Sequence, residues 1–262
     1  MNLSLEGKTA IVCGSTQGIG KASALELASL GANIVLMARN EERLTKVTNE
    51  LEKSPGQQHA CLVADFSKPA EVREAIVGFV TKNPSVHILV NNTGGPPAGT
   101  AIDAAENDFI SAFQSHLICN QILVKAVVPL MKKEAYGRII NIISTSVKTP
   151  IAGLGVSNTI RGAVANWSKT LAYELGGFGI TVNNVLPGLT KTGRLEEIIE
   201  GRAIKFEKTE EEIEREWLEQ IPARRFADPE EVAWAVAFLA TPAAAYINGV
   251  NLPVDGGRTP SL

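Results

Sequence analysis

The feature that most limits what this chain can fold into is a set of glycines at the end of its first apolar run. Thr9–Cys13 is short, apolar and β-branched. Gly14-Ser15-Thr16-Gln17-Gly18-Ile19-Gly20 follows it directly and leads into a stretch of helical spacing. Glycine answers two needs in such a turn. A Cβ would obstruct the sharp passage from strand to helix, and it would hold the backbone away from any bound group. The free amides at the start of the helix lie on the positive end of its dipole and suit a phosphate. Placed between a first strand and a first helix, this spacing points to the pyrophosphate of a dinucleotide.

The rest of the chain repeats the same alternation. Apolar runs recur at Thr9–Cys13, Asn33–Ala38, His59–Ala64, Val86–Asn91, Arg138–Ser144, Ile180–Leu186 and Gly249–Val254. Several lack the polar/apolar alternation of a half-exposed strand, as expected for strands covered on both faces. Helical spacing fills the intervals Gly18–Leu30, Glu41–Leu51, Pro69–Thr81, Glu106–Met131, Ser157–Leu175 and Pro229–Leu239, and Pro69 and Pro229 sit where a first helical turn accepts proline. Strands alternating with helices predict an α/β fold of the doubly wound Rossmann type, with a parallel seven-stranded sheet and helices on both faces. The 262 residues show no second composition regime and read as a single dinucleotide-binding domain. A net charge of −3 without a basic stripe argues against nucleic acid as a partner. No apolar run reaches bilayer length and the start lacks a signal-peptide pattern, so a membrane partner is not expected. Cys13, Cys61 and Cys119 are odd in number, dispersed and set among apolar residues. They read as small core residues in a reducing compartment, with no metal site, and the expected location is cytoplasmic.

One segment breaks the rhythm. From Thr192 to Ile221 the chain is charged, Glu-rich and helically spaced, and it follows a strand end, where open α/β sheets bind ligands. It reads either as a solvated surface helix or as a mobile lid over the crevice, and its position favours the lid.

The end of the second strand, Met37-Ala38-Arg39-Asn40, selects among dinucleotides. A carboxylate here would accept from a ribose 2′-hydroxyl. Ala38 supplies none, and Arg39 can pair with a 2′-phosphate, so the expected cofactor is NADP(H). Gln17, before Gly18, offers no second cation.

These motifs resemble those of the classical short-chain dehydrogenases/reductases, in order and over nearly the whole chain, and within that family those of 3-oxoacyl-carrier-protein reductases. Asp65-Phe66-Ser67 resembles the acidic turn against the adenine. Asn91-Asn92-Thr93-Gly94 resembles the Asn-Asn-Ala-Gly motif, with Thr93 in place of alanine. Asn184-Val185-Leu186-Pro187-Gly188, followed by Thr192, resembles the segment that contacts the nicotinamide, and Asp255-Gly256-Gly257 resembles the closing motif. The resemblance implies a cofactor site made of Gly14, Ser15, Thr16, Gln17, Gly18, Ile19, Gly20, Arg39, Asp65, Phe66, Asn92, Gly94, Pro187, Gly188 and Thr192. It also implies a small-molecule substrate and a homo-oligomer, tetramer or dimer, built through the long helices.

The same resemblance implies a catalytic serine, a tyrosine thirteen residues on, a lysine four residues after that, and an asparagine on the preceding helix. Registered from Arg138–Ser144 upstream and Ser168-Lys169-Thr170-Leu171-Ala172 downstream, the chain places Ser144 at the serine, Ser157 at the tyrosine and Arg161 at the lysine. Counting back from Pro129-Leu130-Met131 puts His116 at the asparagine. The only tyrosines, Tyr136, Tyr173 and Tyr246, have no lysine four residues on. A serine hydroxyl is a far weaker acid than a phenol, and arginine stays protonated, so Arg161 is expected to hold the nicotinamide ribose without passing a proton. His116 is the one nearby group whose ordinary pKa suits proton transfer at neutrality; Lys148 reads as a loop charge. Two functions fit: an NADP(H)-dependent oxidoreductase acting on a carbonyl or alcohol with an atypical proton donor, or a non-catalytic dinucleotide-binding protein serving as a sensor or oligomer partner.

Overall fold

The computed structural model describes residues 1–261. Seven parallel strands form one sheet in the order β3-β2-β1-β4-β5-β6-β7. They are β1 (Thr9–Cys13), β2 (Asn33–Ala38), β3 (Ala60–Val63), β4 (Ile88–Asn91), β5 (Gly137–Ile142), β6 (Ile180–Pro187) and β7 (Asn251–Val254). The helices are α1 (Gly18–Ser29), α2 (Glu41–Glu50), α3 (Pro69–Lys82), α4 (Glu106–Phe113), α5 (Cys119–Glu134), α6 (Gly155–Leu175), α7 (Gly193–Phe206), α8 (Glu210–Glu219) and α9 (Pro229–Ala240). Strand order reverses between β1 and β4, which opens a crevice at their carboxyl ends.

Strands β1, β2, β4, β5 and β6 are covered on both faces, which is why their sequences do not alternate. One core joins the sheet to α1, α2 and α9 through Leu27, Leu44, Val232 and Val236. The other joins it to α3, α5 and α6 through Ile76, Leu123, Met131 and Leu175. The two edge strands, β3 and β7, are the exceptions; β3 is largely exposed, so Cys61 is exposed while Cys13 and Cys119 are buried. The expectation that all three cysteines are core residues fails at Cys61, which stands on the exposed edge strand.

The long helical stretch expected from Glu106 to Met131 is not one helix. α4 gives way to a single π-helical turn, Gln114–Ile118, before α5. Wider turns of this kind cluster at functional sites, and this one contains His116. α5 then runs through Pro129 to Glu134 and ends on Ala135 in the left-handed region, φ 48°.

Four asparagines lock the register of the sheet. Asn91, Asn141, Asn184 and Asn251 stand opposite one another on β4, β5, β6 and β7. Asn91 Nδ2 donates to Asn141 Oδ1 at 2.8 Å, Asn141 Nδ2 to Asn184 Oδ1 at 2.9 Å, and Asn184 Nδ2 to Asn251 Oδ1 at 2.7 Å. Asn141 Nδ2 also donates to Ser168 Oγ on α6. A shift of any of these strands by one residue would break the row and strand buried amides.

Asn141→Ala is expected to orphan the donor of Asn91 and the acceptor of Asn184 together, lowering stability by about 3 kcal/mol. Urea unfolding of the two proteins checks this; a change within a few tenths would mean that the row is not holding the sheet.

Candidate active site

The crevice begins at the β1–α1 turn. Gly14 and Gly18 have φ of 57° and 53°, in the left-handed region where a side chain is strained. A Cβ on Gly20 would overlap the Gly14 carbonyl, so the third glycine lets the helix seat on the strand end. Ser15 Oγ accepts from Met37 N at 3.1 Å, and Asn92 Nδ2 donates to the carbonyls of Cys13 and Gly14 at 3.3 Å each, pinning the turn to β2 and β4. Gln17 gives α1 no side-chain cap, and the first turn of α1 carries no acidic residue. Its leading amides therefore remain for an anion, and the space beside Gly94 is open. The turn fits a dinucleotide pyrophosphate.

Arg39 lies exposed just past β2, close enough to Asp65 for its charge to help hold that carboxyl below the usual carboxylate range. The larger cause is the backbone hydrogen bond from Ser67 N to Asp65 Oδ1, 2.9 Å. Arg43, one turn into α2, places Nη1 3.4 Å from Gln17 Oε1. The second cation absent at Gln17 thus arrives from α2. Sequence reading missed it because Arg43 is remote from the glycine motif and reads as an ordinary helix-surface charge.

At the other end of the crevice, β6 ends at Pro187, and Gly188 packs where a Cβ would meet Asp255 at 2.7 Å. Thr192 follows, with its Cγ2 3.1 Å from the place of a Cβ on Gly18, which brings the start of α7 over the glycine turn. The segment expected as a charged stretch from Thr192 to Ile221 is the helix pair α7 and α8. The pair encloses a small core of its own, including Leu195, Ile199, Ile213 and Trp217, separate from the two that hold the sheet.

Ser144 lies two residues past the end of β5. Its Oγ accepts from Ser146 N at 3.0 Å, which leaves its proton for a ligand. Ser157 and Arg161 lie one turn apart on the same side of α6, Ser157 half-buried and Arg161 buried. Arg161 Nη1 donates to Ile142 O at 3.0 Å. Burial, then the charge of Arg194, lowers its pKa to about 10, still protonated at neutrality. His116 is 3 % exposed, and its Nδ1 lies 2.5 Å from Thr93 Oγ1. Burial first, and the charge of Arg161 second, push its pKa down to about 2. The sequence pointed to His116 as a proton carrier from its ordinary pKa; the π-turn instead carries it into a dry, positive pocket where it stays neutral. Thr93, which replaces the usual alanine, is its partner. The loop after β4 is fastened to the start of α6 by Gly99 N to Gly153 O, 2.8 Å, and Gly155 N to Gly99 O, 2.9 Å.

Comparison with known proteins places this arrangement. The family profile described as Enoyl-(Acyl carrier protein) reductase matches residues 14–259. The chain is 31 % identical over 261 residues to 7alpha-hydroxysteroid dehydrogenase of Escherichia coli strain K12, covering 100 % of this chain and 98 % of that protein. It is 30 % identical to the NADPH-dependent reductase BacG of Bacillus subtilis strain 168, covering 97 % and 99 %. The crystal structure of L-sorbose reductase from Gluconobacter frateurii, complexed with NADPH and L-sorbose, superposes with a TM-score of 0.92 at 29 % identity over 100 % of both chains. The chain belongs to the classical short-chain dehydrogenase/reductase family. It is an oxidoreductase, and its cofactor is a nicotinamide dinucleotide.

Gly18→Val is expected to abolish dinucleotide binding while the fold survives, since a β-branched side chain is placed at φ 53° and against Thr192. Fluorescence titration with NADPH, alongside circular dichroism, checks it. Binding that persists in the folded variant would locate the pyrophosphate elsewhere.

Proposed function

We propose that the protein is an NADP(H)-dependent reductase or dehydrogenase acting on a carbonyl/alcohol pair, with Ser144 as the donor to the carbonyl oxygen and without a side-chain acid of the tyrosine type. The observation that carries the reading is the conjunction of an intact glycine turn with Ser144 keeping its hydroxyl proton free at the end of β5. Preference for the 2′-phosphate is supported by Arg39, unopposed by a carboxylate at Ala38, and by Arg43 reaching toward the same turn.

The bound dinucleotide supplies the hydride. Ser144 donates to the carbonyl oxygen and orients it. Arg161 spends one donor on Ile142 O and has another for the nicotinamide ribose, while its fixed charge favours the developing alkoxide. His116, neutral, steadies Thr93 at the edge of the pocket. Ser157, too weak an acid, accepts and passes hydrogen bonds with water, which delivers the proton. The missing phenol costs about 10²–10⁴ in rate relative to a site with a matched acid.

The α7–α8 pair serves as the lid. Its separate apolar core lets it move as a body, and the segments that flank it, after β6 and before α9, are joined by Lys191 N to Ala227 O, 2.9 Å. Exposed Ile110 and Phe113 on α4 and Tyr173 on α6 support a homo-oligomer built through these helices. The unpaired cysteines suit a cytoplasmic setting.

Cofactor choice gives one test. NADPH is expected to bind about ten- to a hundredfold more tightly than NADH, the worth of one or two charge-assisted hydrogen bonds. Arg39→Ala should erase most of that difference and Arg43→Ala part of it, with NADH affinity unchanged. Calorimetric titration reads both, and equal affinities in the wild-type protein reject the assignment.

The pH profile gives another. His116 is neutral above a pKa of about 2 and Arg161 is charged below about 10. The kcat/KM profile should therefore be level from about pH 5 to about pH 9, neither group changing its charge in that window. Steady-state kinetics across that range would expose a break near the ordinary histidine value, which would return His116 to proton transfer.

A further inference from the structure

Two guanidinium groups meet at one point of the crevice without a counter-ion between them. Arg161 projects from α6 and retains 8 % exposure. Beyond its bond to Ile142 O, its Nη2 and Nε donate to nothing among the described residues, and no carboxylate pairs with it. Arg194 comes from the first turn of α7. Its Nη2 donates to Pro96 O at 2.6 Å and its Nη1 to Glu197 on the solvent side at 3.2 Å, leaving Nε uncommitted. Arg194 Nε and Nη2 lie 3.6 and 3.7 Å, and Arg161 Nη2 3.9 Å, from the same point above the Cα of Gly95, where there is no side chain.

A buried cation is ordinarily paired, because removing it from water is costly. A second cation beside it raises that cost. Protein carboxylates do not answer it here: Glu197 faces Arg194 from the far side and is largely exposed. An anion from a ligand would satisfy both groups, and two convergent guanidinium edges match the two oxygens of a carboxylate. The place favours the substrate over the cofactor as its source. The pyrophosphate has the amides of α1, whereas Arg161 is tied to the strand end that carries Ser144 and lies one turn from Ser157.

The geometry points to an oxo carboxylic acid as the substrate class, with the carboxylate held between Arg161 and Arg194 over Gly95 and the carbonyl oxygen at Ser144. This rests on the reading of the crevice as a reductase site. In the reaction the carbonyl carbon takes the hydride of the reduced nicotinamide, its oxygen takes one proton from water, and the oxidised cofactor and a hydroxy acid leave. The carboxylate is unchanged. Arg194 thus binds and positions, and it arrives with the lid, so an acidic substrate would draw α7 onto the crevice.

The test uses the full protein loaded with NADP⁺ and two non-reducible acids, oxamate and oxanilate, against their neutral amides. Calorimetry should show each acid binding at least about tenfold more tightly than its amide. Arg194→Gln should lose about tenfold for the acids and leave the amides and the affinity for NADPH unchanged. Arg161→Lys, which keeps the buried charge but not the fork, should weaken the acids as well. Equal binding of acids and amides, or no binding of either, overturns the inference. So does an Arg194→Gln variant that weakens NADPH but not the acids, which would assign the pair to the cofactor's phosphates. Turnover of neutral ketones by a protein indifferent to the acids removes the acid class and leaves the reductase reading standing. Tight acid binding with no NADPH oxidation by any oxo acid or ketone supports the anion site and removes the reductase reading.

Discussion

The row of asparagines across β4, β5, β6 and β7 is the constraint on which the rest depends. Parallel strands buried on both faces have little in their side chains to distinguish one register from the next, since Ile, Val and Leu pack nearly as well one step along. Four amides facing one another at 2.7–2.9 Å do distinguish it, because each displaced amide is left unpaired in an apolar layer. Fixing the register fixes the height at which each strand ends. Ser144 and Pro187, which follow or close β5 and β6, consequently arrive at one level at the crevice, with Asn92 two residues below them.

From that level the two halves of the site follow by different physics. The dinucleotide half is made of backbone: positive-φ glycines, uncapped amides at the start of α1, and Asn92 holding the turn to β4. Such a site tolerates sequence change as long as glycine stays, and here it has stayed. The other half is made of side chains, Ser144, Ser157, Arg161 and His116. Arg161 puts a permanent charge in a buried place. That charge adds to the desolvation that keeps His116 neutral, and it leaves the pocket short of an anion. His116 and Arg161 are thus coupled electrostatically, and neither titrates near neutrality.

How much of this was legible in the sequence depended on the range of the interaction concerned. The glycine turn, the strand cores and the first turns of α3 and α9 are local, and they were read from spacing and residue type alone, with ends shifted by a residue or two. Cys61 was misplaced because burial of a strand side chain depends on what packs against the sheet face at that point, which the strand's own residues do not state. The stretch from Glu106 onward carries unbroken helical spacing, and nothing local announces the π-turn at Gln114–Ile118. Arg43 and Arg194 lie on helix surfaces in the sequence pattern, and only the folding of α2 against the glycine turn and of α7 over Gly95 makes them part of a site.

By itself, then, the sequence determined a doubly wound parallel sheet, a dinucleotide turn, an arginine without a neighbouring carboxylate at the end of β2, and a serine and an arginine four residues apart at Ser157 and Arg161. These are matters of periodicity, of backbone freedom and of which atoms a side chain possesses. The tertiary structure alone decided the charge state and company of those atoms. His116 became neutral because a helical turn widened and buried it beside Arg161, and Arg161 met Arg194 because α7 closes on the loop after β4. Desolvation and Coulomb interaction depend on distances between residues far apart in the chain, and no local pattern encodes them.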